Sequence, residues 1–189
     1  MGSSNFFIFF VILSLSCPHH YLFDDQNPSI VFVKGDEDLI QKTCKTTKYY
    51  NFCLQTLKSD PASTSADTKG LALIMAGIGL ANSTATSSYL SSQLLSIKND
   101  EIMKRVLKEC AAKYTYAADA LHACAQDLAS DSYDYASMHI TAAADYPNAC
   151  HNAFKRYSGL VYPPELARRE DGLKHFCDVV LGIIDNLIS

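Results

Sequence analysis

From Asp100 onward the chain places one apolar side chain on every helical turn. Ile102, Val106, Cys110, Tyr114, Ala117, Leu121, Cys124 and Leu128 stand 4, 4, 4, 3, 4, 3 and 4 residues apart. The mean step of about 3.7 puts all eight on one stripe of an α-helix, with no strand-like alternation. A weaker stripe precedes it. Leu71, Ile74, Met75 and Ile78 open an apolar face that Leu90, Leu94 and Ile97 resume, with a Ser/Thr stretch around Asn82 between them. Asp67 is placed to cap the free amides at its start, while Gly77 and Gly79 weaken the helix locally or permit close packing. A third helical segment is expected over 132–144, ending before Pro147, which a helix interior tolerates poorly. A further turn or two covers 149–156. After Pro163-Pro164, Leu166, Leu173, Phe176, Cys177, Val180, Ile183, Ile184 and Leu187 give the last helix a broad apolar face.

Upstream, Glu37–Thr43 and Lys48–Leu57 read as two short helical stretches, and Cys44 and Cys53 bracket their join. A bridge between these cysteines would close a small loop and pin a helical hairpin. Asp60-Pro61 then breaks the chain. Short connections between long amphipathic helices favour antiparallel neighbours. The expected architecture is therefore all-α: an up-and-down four-helix bundle with an N-terminal helical hairpin. Residues 17–35, with Pro18, Pro28 and Gly35, read as a mobile segment ahead of a domain spanning 36–189.

The first sixteen residues change the picture of where this domain works. Phe6 to Leu15 is an uncharged apolar run of ten residues followed by small ones, the length of a signal-peptide core and too short to span a bilayer. The segment 1–16 is thus expected to be a leader, although its first five residues carry no Lys or Arg. No later segment is expected to cross a membrane. Cys17 lies at the leader boundary. The six cysteines beyond it, Cys44, Cys53, Cys110, Cys124, Cys150 and Cys177, suggest a disulfide framework in an exported protein, with 15 pairings open if all six are bridged. Asn82-Ser83-Thr84 is an N-glycosylation sequon, which matters only in the secretory pathway.

With 16 basic and 20 acidic residues the formal charge is −4, and there is no clustered basic face for nucleic acid. Reaction chemistry is not found either. His122 with Cys124, and Cys150 with His151, are spaced so that the two side chains cannot face each other on a helix. No His-x-x-x-His or Cys-x-x-Cys spacing suggests a metal, and no Gly-rich phosphate loop or nucleophile elbow occurs. Asp127, Asp131, Asp134 and Asp145 read better as solvated or capping carboxylates than as an acid/base pair. No cofactor is expected. A core, staples and an export signal without a reaction centre suit a binding protein.

The run Cys44-Lys-Thr-Thr-Lys-Tyr-Tyr-Asn-Phe-Cys53 followed by Asp60-Pro61 resembles the opening of the plant invertase and pectin methylesterase inhibitors. Asp67-Thr-Lys-Gly-Leu-Ala-Leu-Ile-Met75 continues the likeness, as do Cys110-x-x-x-Tyr114 with Asp119 and Leu121, Ala142-Ala143-x-Asp145 leading to Cys150, and Cys177-Asp-Val-Val-Leu-Gly-Ile-Ile-Asp-Asn-Leu187. The ordered set covers residues 37 to 189. Within the family the segments SDPASTSADTKGLALIM and YDYASMHITAAADYPNAC look most like inhibitors of cell-wall or vacuolar β-fructosidase.

The resemblance implies the same bundle and hairpin, disulfides Cys44–Cys53 and Cys110–Cys150, and no catalytic activity. It leaves Cys124 open, either free or paired with Cys177. The implied partner is a plant acid invertase, a glycosidase working with two carboxylic residues in a cleft, with pectin methylesterase as the alternative on the same scaffold. The implied place is the cell wall or the vacuole. In invertase inhibitors of this kind a Pro-Lys-Phe turn in the third bundle segment enters the target, and it aligns here with Tyr133-Asp134-Tyr135. Asp134 in place of Lys would repel acidic residues, which leaves the contact to Tyr133 and Tyr135; alternatively both tyrosines merely start a helix and pack locally. His139 can add pH dependence between about 5 and 7, or be an exposed, inert side chain. A reading of another class, a helical bundle holding a small apolar ligand or acting structurally, predicts an internal apolar pocket near Gly77, Gly79 and the Ser/Thr stretch.

Overall fold

The computed structural model describes residues 34–189, and among these all regular structure is helical. The expected leader (1–16), Cys17 and all but the last two residues of the segment 17–35 lie outside the described residues. The first helix, α1, spans Lys34–Lys45 and so begins two residues before the expected domain boundary; α2 follows at Tyr50–Ser59. Asp60 accepts a hydrogen bond from the Ala62 amide at 2.9 Å and turns the chain through a 3₁₀ segment at Pro61–Ser65. Four long helices complete the chain: α3 (Thr68–Ser96), α4 (Glu101–Ala129), α5 (Tyr133–Lys155) and α6 (Pro164–Ile188).

Three of these four helices have a local cause at their start. The Asp67 carboxylate accepts from the Gly70 amide at 2.7 Å at the head of α3. Asp100 accepts from Met103 at 2.9 Å at the head of α4. Pro164 opens α6, where a missing amide proton costs nothing. Helix α3 packs on α4 and α6, and α5 packs on the same two, so α4 and α6 lie across the diagonal with no Cα pair within 8 Å. This is the expected bundle, with α1 and α2 as the hairpin docked on α3 and α6.

The apolar stripe of α4 is the spine of the core. Val106, Cys110, Tyr114, Ala117, Leu121, Cys124 and Leu128 are all fully buried, whereas Ile102, in the first turn, is 49% exposed. Helix α3 runs unbroken through its Ser/Thr stretch and Gly79. A Cβ on Gly79 would stand 3.3 Å from the Leu121 side chain and 3.4 Å from Phe176, so close packing fills the gap expected there. By length and composition α3 would also pass as a membrane span, contrary to expectation, but Leu71, Met75 and Leu90 on it are buried in the bundle core.

Pro147 gives the largest departure from the sequence reading. The helix expected to end before it continues through it as α5. Pro147 removes one amide from the ladder, yet Ala143, Cys150 and Phe154 on either side are buried. The Cys110–Cys150 disulfide, with 4.6 Å between Cα atoms, holds the following turn to α4. Tertiary packing and the covalent clamp outweigh a penalty of about 3 kcal/mol.

Candidate target-binding surface

The two bridged pairs are Cys44–Cys53 and Cys110–Cys150. Cys124 and Cys177 are buried free thiols. They sit on the diagonal helices α4 and α6, farther apart than a disulfide can reach. Burial pushes both thiols up to about 12, which keeps them protonated and unreactive. Asn82 is half-buried in mid-α3 with its Oδ1 sealed from solvent. Among the described residues no group of three or more potential metal ligands comes together.

The remaining polar clusters are structural braces. Glu170 is almost fully buried and takes hydrogen bonds or ion pairs from Lys174 at 2.6 Å and His151 at 3.2 Å. The His151 ring stacks on Tyr162 at 4.2 Å, which ties the α5–α6 connection to the bundle. Burial raises the Tyr114 and Tyr162 hydroxyls well above the usual tyrosine value, with the Glu170 charge adding to both. Arg156 pairs with Glu109 between α5 and α4.

The segment aligned with the inhibitory turn forms the first turn of α5, after a tight connection from α4. Asp131 there adopts a left-handed φ of 58°, and the Ser132 amide donates to the Asp127 carbonyl at 2.8 Å. A short Asp tolerates that conformation. The Asp131 carboxylate accepts from Lys69 Nζ at 2.9 Å and from the Tyr133 hydroxyl at 2.8 Å. Lys69 chiefly, and Tyr133 after it, hold the Asp131 carboxyl below the ordinary 3.8. On the next turn His139 Nδ1 lies 2.6 Å from Asp127 Oδ2, so this histidine is neither inert nor fully exposed: it bolts α5 to the end of α4.

These bonds divide the four residues singled out from the sequence. Tyr133 packs against the core and is tied to Asp131, and His139 is tied to Asp127. Asp134 and Tyr135 face solvent, with Tyr135 62% exposed. Asp131, Tyr133, Asp134 and Tyr135 line one shallow depression of about 290 Å³ together with Ile188 at the end of α6. The sequence reading missed Ile188 and also Met138, which is 66% exposed three residues after Tyr135. Met138 carried a signal: it is a large apolar residue among Ser137, His139 and Thr141 on the polar side of its helix.

Gly79 is closely packed and Gly77 faces open space. Along the Ser/Thr stretch lies a partly polar recess of about 400 Å³, lined by Leu80, Thr84, Ser87, Thr115, Asp119 and His122. It is open to solvent, where the small-ligand reading requires an internal apolar pocket. An apolar recess of about 200 Å³, lined by Leu90, Met103, Leu107 and Leu166, lies at the opposite end of the bundle.

A family model described as plant invertase/pectin methylesterase inhibitor matches residues 38–183. The cell wall/vacuolar inhibitor of fructosidase 2 from Arabidopsis thaliana is 46% identical over 100% of both chains. Pectinesterase inhibitor 28 from Oryza sativa subsp. japonica is 36% identical over 80% of this chain and 70% of its own. The crystal structure of a mutant form of a pectin methylesterase inhibitor from Arabidopsis superposes with a TM-score of 0.65 at 24% identity, covering 77% of this chain and 95% of that one.

Proposed function

Because the chain belongs to the plant invertase/pectin methylesterase inhibitor family, we propose that it inhibits a plant acid invertase by covering the sucrose-binding cleft with its bundle surface. The observation that carries this reading is the 46% identity, end to end, with an inhibitor of fructosidase. The chain is not itself an enzyme: its family and its relatives are named as inhibitors. Inhibition then needs only steric exclusion of substrate. We place the contact at the first turn of α5, where Asp134 and Tyr135 are free to meet a partner. His139 serves this site by holding that turn against α4. The relatives' cell-wall or vacuolar naming supports export to one of those two places.

Pectin methylesterase is the second reading, favoured by the 36% identity with a rice pectinesterase inhibitor and by the absence of a Lys at position 134. Purified, oxidised protein mixed with acid invertase and, separately, with pectin methylesterase across pH 4 to 7 separates the two. Loss of sucrose hydrolysis alone supports the invertase reading. Loss of pectin demethylation alone moves the protein to the sister activity, and loss of neither removes both.

A further inference from the structure

Three exposed large hydrophobic residues lie at the end of the bundle where α5 begins and α6 ends. Tyr135 and Met138 stand one turn apart on α5, exposed by 62% and 66%; Ile188 is 54% exposed and shares the depression beside Tyr135. Scattered apolar residues on a surface need no explanation, but a contiguous group on a braced element marks an interaction site. The bracing here is specific. Lys69–Asp131 and Asp127–His139 tie the connection and the first two turns of α5 to α3 and α4, and Tyr133–Asp131 closes the turn locally. A surface held in place before binding loses little conformational entropy when it docks.

Charge decides which side chains can enter a glycosidase cleft. Such a cleft presents two carboxylic groups, so Asp134 entering it would meet like charge. Tyr135, Met138 and Ile188 carry no charge, and desolvating them is favourable. We infer that Tyr135, Met138 and Ile188 form one apolar ridge, built from the head of α5 and the tail of α6, that enters the sugar-binding cleft of the target glycosidase while Asp134 stays at its rim. The inference rests on the invertase reading above and extends the contact from the α5 turn to α6. Tyr is among the residue types enriched at the energetic centres of interfaces, and Met138 and Ile188 extend the apolar surface beside Tyr135.

The test uses Met138→Glu and Ile188→Glu in the full-length oxidised protein, with Val161→Glu as control. Val161 is 78% exposed at the opposite end of the bundle, roughly 35 Å away along α6. All three sites are exposed, and a thermal melt confirms that each variant folds. Inhibition of acid invertase is measured by titration. The expected result is at least a tenfold rise in the half-inhibitory concentration for both ridge variants and none for Val161→Glu. Wild-type potency in either ridge variant overturns the two-helix ridge and leaves the inhibitor reading standing. An equal loss in Val161→Glu overturns the location. A wild-type protein without effect on invertase overturns the functional reading and the ridge with it.

Discussion

The Tyr133 hydroxyl donates to the Asp131 carboxylate at 2.8 Å, closing a hydrogen-bonded turn whose other partner, Lys69, comes from α3. Its neighbour Tyr135 makes no such bond and stands in solvent. The two tyrosines, equivalent in sequence, therefore have separate duties: one holds the turn and the other is presented by it.

That division predicts distinct phenotypes. Tyr133→Phe keeps the ring packed on the core but removes the bond to Asp131. The bond is solvent-exposed, so the expected fall in Tm is small, under about 2 °C, with inhibition nearly unchanged. Tyr135→Ala should leave Tm unchanged and weaken inhibition. Thermal melts and inhibition titrations of the two single variants check this; the opposite assignment of effects would show that the turn, not its exposed side chain, makes the contact.

The staples should differ in worth. Cys110–Cys150 closes a separation of 40 residues and Cys44–Cys53 one of 9. Chain-entropy arguments assign them about 4 and about 2.6 kcal/mol respectively. Replacing Cys110 and Cys150 together by Ser should lower Tm by on the order of 10 °C. It should also fray α5 around Pro147, which loses its clamp to α4. Amide hydrogen exchange over 144–155 reads this directly, and unchanged protection there would mean that packing alone carries the helix through the proline.

Two glycines should respond to alanine with opposite signs. A Cβ on Gly182 would meet Thr47 Cα at 3.1 Å and the Thr46 carbonyl at 3.2 Å, both backbone atoms of the α1–α2 connection. A Cβ on Gly77 meets nothing within 4 Å. Alanine gains about 1 kcal/mol over glycine in a helix interior, so Gly77→Ala should stabilise by about that amount. At Gly182 the same gain is set against overpacking of about 1–3 kcal/mol, and the variant should be less stable, with faster proteolysis of the hairpin. Denaturant unfolding of both variants decides; stabilisation by Gly182→Ala would mean that the hairpin is loosely docked.

Much of this organisation is legible in the chain because bundle physics is periodic. Seven of the eight stripe positions on α4 are buried as their spacing requires; Ile102 fails because it sits in the first turn, where few neighbours reach it. Periodicity is silent where tertiary structure decides. Nothing local shows that Pro147 lies inside a helix, since the compensation comes from a cysteine on α4. Likewise the separation of Cys124 from Cys177 follows from α4 and α6 lying diagonally, and the sequence cannot order helices around a bundle. The contribution of Ile188 to the depression beside Tyr135 depends on two helix ends 53 residues apart meeting in space.

Inhibition assayed in acid depends on the inhibitor staying folded there. Asp131 is held below 3.8 by Lys69 and then Tyr133, and Glu165 below 4.5, chiefly by Arg168. A carboxyl depressed in the folded state stabilises it above its unfolded value and loses that contribution as pH falls through the folded value. The contacts of Asp131 with Lys69 and Tyr133 under Tyr135 are therefore kept while pH stays above the ordinary value of that carboxyl and are lost only as pH falls below it. At the other extreme, burial raises Tyr114 and Tyr162 above 10.0. An acid raised on folding favours the folded state below its unfolded value and ceases to do so as pH climbs past it, so stability should fall above about pH 10. Calorimetry from pH 3 to 11 should find Tm declining below about pH 4 and above about pH 10. A Tm that holds unchanged to pH 3 and to pH 11 would contradict these assignments. Wherever Tm is level, a change of inhibition with pH belongs to the contact with the target and not to unfolding of the inhibitor.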